Sequence, residues 1–258
     1  MDLKLNGHTA IVTGGYRGTG LTIARHLLRE GARVLVHGFD DAAVRTTITE
    51  LGGGIPVIGD IRTDEGARSV IERCLNEDVD ILINNYGTAE SGSWDKSDSD
   101  QWIDAFQKNV LSAQRLIQGL LPSLREKSWA RIINLGTVGS TRPNAIMPHY
   151  YAAKGALATM TVSLARELAG TSIRVNLVSP GLILTPEVMA ANLERGRRKG
   201  WGETWEEIEP YVAADIPIGR IVRREEVADL VTYLASPLAD GIHGQNFRID
   251  GGALSIVS

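Results

Sequence analysis

The chain is poor in the groups that would cross-link it, anchor it in a membrane or fix it to nucleic acid. Its single cysteine, Cys74, can form no internal disulfide. In SVIERCLNE the helical face shared by Val70, Ile71, Cys74 and Leu75 gives that thiol the setting of a small core residue, not of a reactive thiolate. Long apolar runs are missing as well. MDLKLNGHTAIVTGG contains neither a signal-peptide apolar region nor a small-residue cleavage site, and no later stretch is long enough to span a bilayer. A soluble cytoplasmic protein with no membrane partner is expected. Positive charge does not dominate: 27 Lys and Arg stand against 31 Asp and Glu, a net charge of -4 that argues against nucleic-acid binding. The one basic cluster, Arg195, Arg197, Arg198 and Lys199, reads as a solvated helix face. No residues are assigned to a metal.

What is present is a regular alternation. TAIVTG, RVLVHG, IPVIGD and DILINN are strand-length apolar runs, separated by helical patterns starting near Gly18, Asp41 and Asp64. RIINLG, a long helical stretch from Pro148 to Ala169, IRVNLVSPG and QNFRID continue the pattern. Repeated β-α units with apolar strands predict a single α/β domain over 1–258, a Rossmann-like, doubly wound parallel sheet of about seven strands with helices on both faces. One connection, 182–220, is far longer than the others and reads as a lid-like insertion. Thr185-Pro186-Glu187 and the capping box of Thr204 with Glu207 predict two short helices in it. Trp201, Trp205 and Ile208 then form a stripe that either covers a pocket or packs on the domain.

Two places carry chemistry. Tyr150 and Lys154 are one helical turn apart, so an ammonium lies within reach of a phenol, lowering its pKa and letting it exchange a proton with a substrate oxygen. Thr13 to Gly20, TGGYRGTG, falls between the first strand and the first helix, where glycines let the backbone approach a pyrophosphate at a helix N-terminus. Asp60, after the third strand, either accepts from an adenine amino group or caps the next helix. The second strand ends in His37, Gly38 and Phe39, without the acid that would bind the ribose 2'-hydroxyl of NAD, and Asp40 comes late for that role. Arg17 can pair with a 2'-phosphate, so NADP(H) is favoured over NAD(H), although Asp40 and Asp41 would repel that phosphate.

Taken together these residues resemble the short-chain dehydrogenase/reductase family over essentially the whole chain. NNYG at Asn84 to Gly87, Asn109, NLVSPG at Asn176 to Gly181, Thr185, Pro217-Ile218-Gly219-Arg220 and Ile249-Asp250-Gly251-Gly252 occur in the family's order. The resemblance implies an NAD(P)-dependent oxidoreductase that moves hydride between the nicotinamide and a ketone or secondary alcohol. By it, Tyr150 is the acid and base, Lys154 also holds the nicotinamide ribose, and Asn109 positions a water leading from Lys154 to solvent. The implied cofactor contacts are Gly14, Tyr16, Arg17, Gly18, Thr19 and Gly20 in the loop, Phe39, Asp60 and Ile61 beyond it, Asn85, Tyr86 and Gly87 after the fourth strand, and Pro180, Gly181, Ile183 and Thr185 near the nicotinamide. Association as a homotetramer or homodimer is implied likewise.

Two positions depart from the family pattern. The catalytic serine, thirteen residues before the tyrosine, is replaced by Thr137, whose hydroxyl can still donate but whose methyl stiffens χ1. Ser140 is the alternative donor. Tyr86 stands where NNAG has a small alanine, and either narrows the cleft or stacks on a neighbour. These changes motivate a second reading, a catalytically inactive dinucleotide-binding regulatory or scaffold protein; an epimerase or lyase using the same tyrosine is a third. Thr137, Leu182, Met189, Trp201 and Trp205 are the candidate substrate pocket. Its apolar members suit a bulky apolar small molecule, whereas the arginines of the insertion suit an anionic one.

Overall fold

The computed structural model describes residues 2–256. Seven parallel strands form one sheet: β1 (Thr9–Val12), β2 (Arg33–Gly38), β3 (Ile55–Ile58), β4 (Ile81–Asn84), β5 (Ala130–Leu135), β6 (Ile173–Pro180) and β9 (Asn246–Ile249), in the spatial order β3-β2-β1-β4-β5-β6-β9. The expected sheet is present. An additional two-stranded ribbon pairs β7 (Ile183–Leu184) with β8 (Val222–Arg223). The order reverses between β1 and β4, and such a switch point opens a crevice at the carboxyl ends of the strands.

Strand side chains alternate between two cores, as the pleat requires. Ala10 and Val12 of β1 face a cluster with Ile23, Ala24 and Leu27 of α1 (Gly18–Arg29) and Val227 and Val231 of α9 (Arg224–Leu234). Ile11 faces the other side, with Val70 and Cys74 of α3 (Asp64–Asn76) and Leu116 and Leu120 of α5 (Ser112–Glu126). Cys74 is fully buried and its thiol is pushed up to about 12 by loss of solvation, so it packs as the sequence indicates. Leu75 does not share that face; it is 44% exposed, one residue's 100° turn beyond the buried stripe.

α2 (Asp41–Leu51) follows β2, and α6 (Pro148–Glu167) follows β5. Between α4 (Ser99–Phe106) and α5 the chain runs through a π-helical turn, Gln107–Leu111, that contains Asn109. The insertion holds the two expected helices, α7 (Pro186–Arg198) and α8 (Trp205–Val212), each capped by the predicted threonine. Trp205 packs with Ala213 and Ile221, and Ile208 is fully buried, with Gly196 so close that a Cβ on it would come within 2.6 Å of Ile208. The Glu209 carboxylate fastens this unit to the domain: Arg223 donates twice at 2.6 and 2.8 Å, and the Trp205 indole and the Ile221 amide donate at 3.1 and 3.2 Å. The stripe is therefore packing.

The basic cluster is a surface face. Arg197 pairs with Glu203, Arg198 lies 3.9 Å from Glu194, and Arg195 and Lys199 lie over the ring of Trp201, which itself stacks on Tyr211. Among the described residues no helix is long and apolar enough to cross a membrane.

Candidate active site

Two cavities open at the carboxyl end of the sheet. The larger, about 590 Å³, runs along the glycine loop past Phe39, Asn85, Tyr86 and Gly87 to Tyr150, Lys154, Pro180 and Thr185. The second, about 440 Å³, is lined by Thr137, Val138, Arg142, Met147, Tyr151, Leu182, Val188 and Leu254 among others. Both are lined by Ala89, Tyr150, Ile183 and Thr185, so Tyr150 stands where they meet.

The loop after β1 is shaped for close approach. Gly14 and Gly18 hold φ of 62° and 56°, a region costly for residues with a Cβ. A Cβ on Gly20 would lie 2.4 Å from the Gly14 carbonyl and 2.5 Å from Asn85 Nδ2, so helix, loop and the turn after β4 interlock there. Asn85 Nδ2 donates to the Thr13 carbonyl at 2.8 Å, and the Tyr86 amide donates to Thr13 Oγ1 at 2.9 Å. His37 ties in a third turn. Its Nδ1 accepts from the Gly14 amide at 3.2 Å and its Nε2 faces the Gly59 carbonyl at 2.9 Å, so the ring is the neutral Nε2-H tautomer. Burial lowers its pKa to about 4, with the Gly59 hydrogen bond and the Asp60 charge opposing.

The residues fit a dinucleotide. α1 begins without a side-chain cap and without an acid in its first turn, so its orphan amides are free to meet a pyrophosphate. Asp40 caps α2 by accepting from the Ala43 amide at 2.7 Å, and Asp41 pairs with Arg45 at 2.8 Å. Arg17, over the Tyr16 ring, has no ion pair among the described residues. Tyr86 lines the cavity and packs at a tilt against Phe39, with ring centroids 4.9 Å apart. Asp60 and Ile61 do not line the cavity. Both Asp60 oxygens are held by Arg62, whose guanidinium lies over Phe39, while Thr63 caps α3; Ile61 is buried in the core. Thr63 and not Asp60 caps α3, so the helix-cap role is corrected, while the Asp60 carboxylate stays partly exposed beside Arg62.

At the far end, Lys154 is buried and its Nζ donates to the Leu135 carbonyl at 2.7 Å; loss of solvation lowers its pKa to about 8. Tyr150 moves the other way. Burial pushes it up to about 12, helped by Tyr151 and opposed by a hydrogen bond with the Thr137 side chain. The expected lowering of the phenol by Lys154 is not seen: burial dominates, and the ammonium is directed at a backbone carbonyl. Thr137 Oγ1 also accepts from the Gly139 amide at 3.2 Å. Ser140 is turned away: its hydroxyl donates to the Thr137 carbonyl at 2.8 Å, and it lines neither cavity.

Asn109 is 1% exposed, and its amide braces the turn after β4, donating to the Thr88 and Ala105 carbonyls at 3.1 and 3.0 Å and accepting from the Thr88 amide at 3.1 Å. A Cβ on Gly87 would lie 2.5 Å from Asn109 Oδ1 and 3.0 Å from Lys154 Nζ, so these three residues are packed together.

Of the expected substrate residues, Thr137 and Leu182 line the second cavity, and Gly181 lines it too. Met189, Trp201 and Trp205 do not. Met189 and Trp205 pack inside the insertion and Trp201 stacks outside it. Val138, Arg142, Met147, Tyr151 and Leu254 were missing from the sequence reading. Only Tyr151 carried a signal, its adjacency to Tyr150; its hydroxyl accepts from Asn144 at 3.0 Å, fastening the loop above the cavity.

Known proteins resemble the chain over its whole length. The family model described as Enoyl-(Acyl carrier protein) reductase matches residues 14–253. The uncharacterized oxidoreductase YvaG of Bacillus subtilis is 36% identical, with 100% of each chain covered. The 3-oxoacyl-[acyl-carrier-protein] reductase FabG of Vibrio cholerae is 32% identical over 98% of this chain and 100% of its own. Among solved structures, L-sorbose reductase from Gluconobacter frateurii, complexed with NADPH and L-sorbose, superposes with a TM-score of 0.91 at 30% identity, covering 100% of both chains.

Proposed function

The chain belongs to the short-chain dehydrogenase/reductase family of oxidoreductases, and from that premise we propose that it reduces a ketone with NADPH, with Tyr150 as proton donor. The observation that carries this reading is the position of Tyr150 at the junction of a dinucleotide-sized cavity and a second, mostly apolar one. A bound reduced nicotinamide would supply the hydride to the carbonyl carbon. Charge then develops on the substrate oxygen, and the Tyr150 hydroxyl gives it a proton. A phenol pushed up to about 12 is in its protonated form at neutral pH, the form that reduction requires of the donor. Thr137 stabilises the same oxygen through its hydroxyl. Lys154, still mostly cationic at neutral pH with a pKa near 8, holds the ribose side of the cofactor and restores charge balance when Tyr150 loses its proton.

The preference for NADPH rests on Arg17 at the cavity wall and on the engagement of Asp40 and Asp41 away from it. The relative complexed with NADPH points the same way. A cytoplasmic homotetramer or homodimer is part of the proposal.

Tyr150→Phe tests it. NADPH affinity is expected to stay within twofold of wild type while turnover of a ketone falls by about two to four powers of ten. Turnover equal to wild type would remove Tyr150 from the chemistry.

A further inference from the structure

Resting on the reductase reading, we infer that the second cavity takes an amphiphilic carbonyl compound whose apolar chain ends in an oxyanion, and that Arg142 receives that anion. The cavity walls are apolar where they could have been anything: Val138, Met147, Leu182, Ile183, Val188 and Leu254. Its hydroxyls, from Thr137, Tyr150, Tyr151 and Thr185, are few, and those of Thr137 and Tyr150 mark the reacting end. Among the residues that line it, Arg142 alone carries a full charge, and no carboxylate lines it.

Arg142 is exposed and forms no ion pair among the described residues, so its guanidinium is open to a ligand. Its backbone is nonetheless fixed. The Arg142 amide donates to the Val138 carbonyl at 3.1 Å, Asn144 bridges to the Tyr151 hydroxyl, and the Gly92 amide holds the Ile146 carbonyl at 2.8 Å. A cation on a pinned arch at the edge of an apolar cavity can select a substrate by one charge at a set distance from the reacting carbonyl. The arginines of the insertion cannot, since Arg197 and Arg198 face acids and Arg195 lies over Trp201. Guanidinium forks accept carboxylate and phosphate alike, so the shared chemistry is an oxyanion on an apolar chain.

Calorimetric titration of the chain, with NADPH present, by octanoate, octyl phosphate, octanamide and acetate separates the parts. Octanoate or octyl phosphate, whichever is the better source of the anion, is expected to bind about tenfold more tightly than octanamide, and acetate at least about a hundredfold more weakly than octanoate for want of apolar contact. Arg142→Gln is expected to bring octanoate to the level of octanamide and leave octanamide unchanged, with Arg142→Lys in between. Equal binding of octanoate, octyl phosphate and octanamide to the wild type, or a preference for the anion that survives in Arg142→Gln, overturns the inference. Neither result depends on turnover. An inactive chain that still binds octanoate through Arg142 would count against the reductase reading and not against this subsite.

Discussion

Acid should loosen this fold through one imidazole. His37 is fully buried, and its neutral ring joins the Gly14 amide to the Gly59 carbonyl. A proton on Nδ1 would set a donor against the Gly14 N–H and leave a charge without solvent, which is why the folded-state pKa drops to about 4 from 6.5. The unfolded chain therefore binds this proton first. The stabilisation is whole above about pH 6.5, declines as the pH falls toward 4, and has no more to lose below that. Two and a half pKa steps at 1.36 kcal/mol each make about 3 kcal/mol in total, most of it gone by pH 4.5. Asp60 and Arg62 also lie on this side of the sheet and titrate or stay charged in their own right, so the effect must be read as a difference. Urea unfolding of wild type and His37→Gln at pH 7.5 and at pH 4.5 isolates it, because acids away from His37 contribute alike to both proteins and Asp60, the acid coupled to it, is held below its ordinary value mainly by Arg62. The stability gap between the two is expected to shrink by about 2 to 3 kcal/mol on acidification. A gap that does not change with pH would refute the neutral, bridging role of His37.

Two further substitutions probe the two ends of the site. Gly20→Ala places a methyl 2.4 Å from the Gly14 carbonyl, and backbone cannot step aside cheaply; NADPH affinity measured by fluorescence titration is expected to fall at least about tenfold, with a loss of about 1 to 3 kcal/mol in stability. Thr137→Ser is expected to keep turnover within a few-fold of wild type and Thr137→Val to lower it about a hundredfold at unchanged NADPH affinity, whereas wild-type rates in both would show the hydroxyl to be irrelevant.

The parts that were legible in the sequence are those governed by local rules. The strands and helices follow from periodicity, and the helices of the 182–220 insertion from Thr185-Pro186 and Thr204 with Glu207, because capping is decided within four residues. The glycine loop and the Tyr150 and Lys154 pair could be located from spacing and family likeness. What could not be read is what distant residues do to one another. Asp60 read as an adenine acceptor or a helix cap, and spacing did not show that Arg62, two residues away, pairs with both its oxygens while Thr63 takes the cap. Trp205 looked like a pocket wall, but its indole donates to Glu209, whose other oxygen contacts come from Arg223 and Ile221 across the ribbon. His37 was noticed only as the absence of an acid, and its role needs Gly14 and Gly59, two other turns of the sheet.

The same distinction explains the pKa of the central pair. Spacing on a helix says that a cation is near a phenol, and at that level the phenol should become more acidic. Burial, which spacing does not report, acts on both groups and favours the neutral form of each, so Tyr150 rises to about 12 while Lys154 falls to about 8. A pair arranged in this way resists losing the tyrosine proton until something supplies negative charge to receive it. In the proposed reaction that charge is the developing substrate oxyanion, next to the Thr137 hydroxyl. The desolvation that holds the proton on Tyr150 in the free site also raises the basicity of the substrate alkoxide, so the proton still has a stronger base to move to once the carbonyl is reduced, and nothing to move to when a ligand develops no charge there.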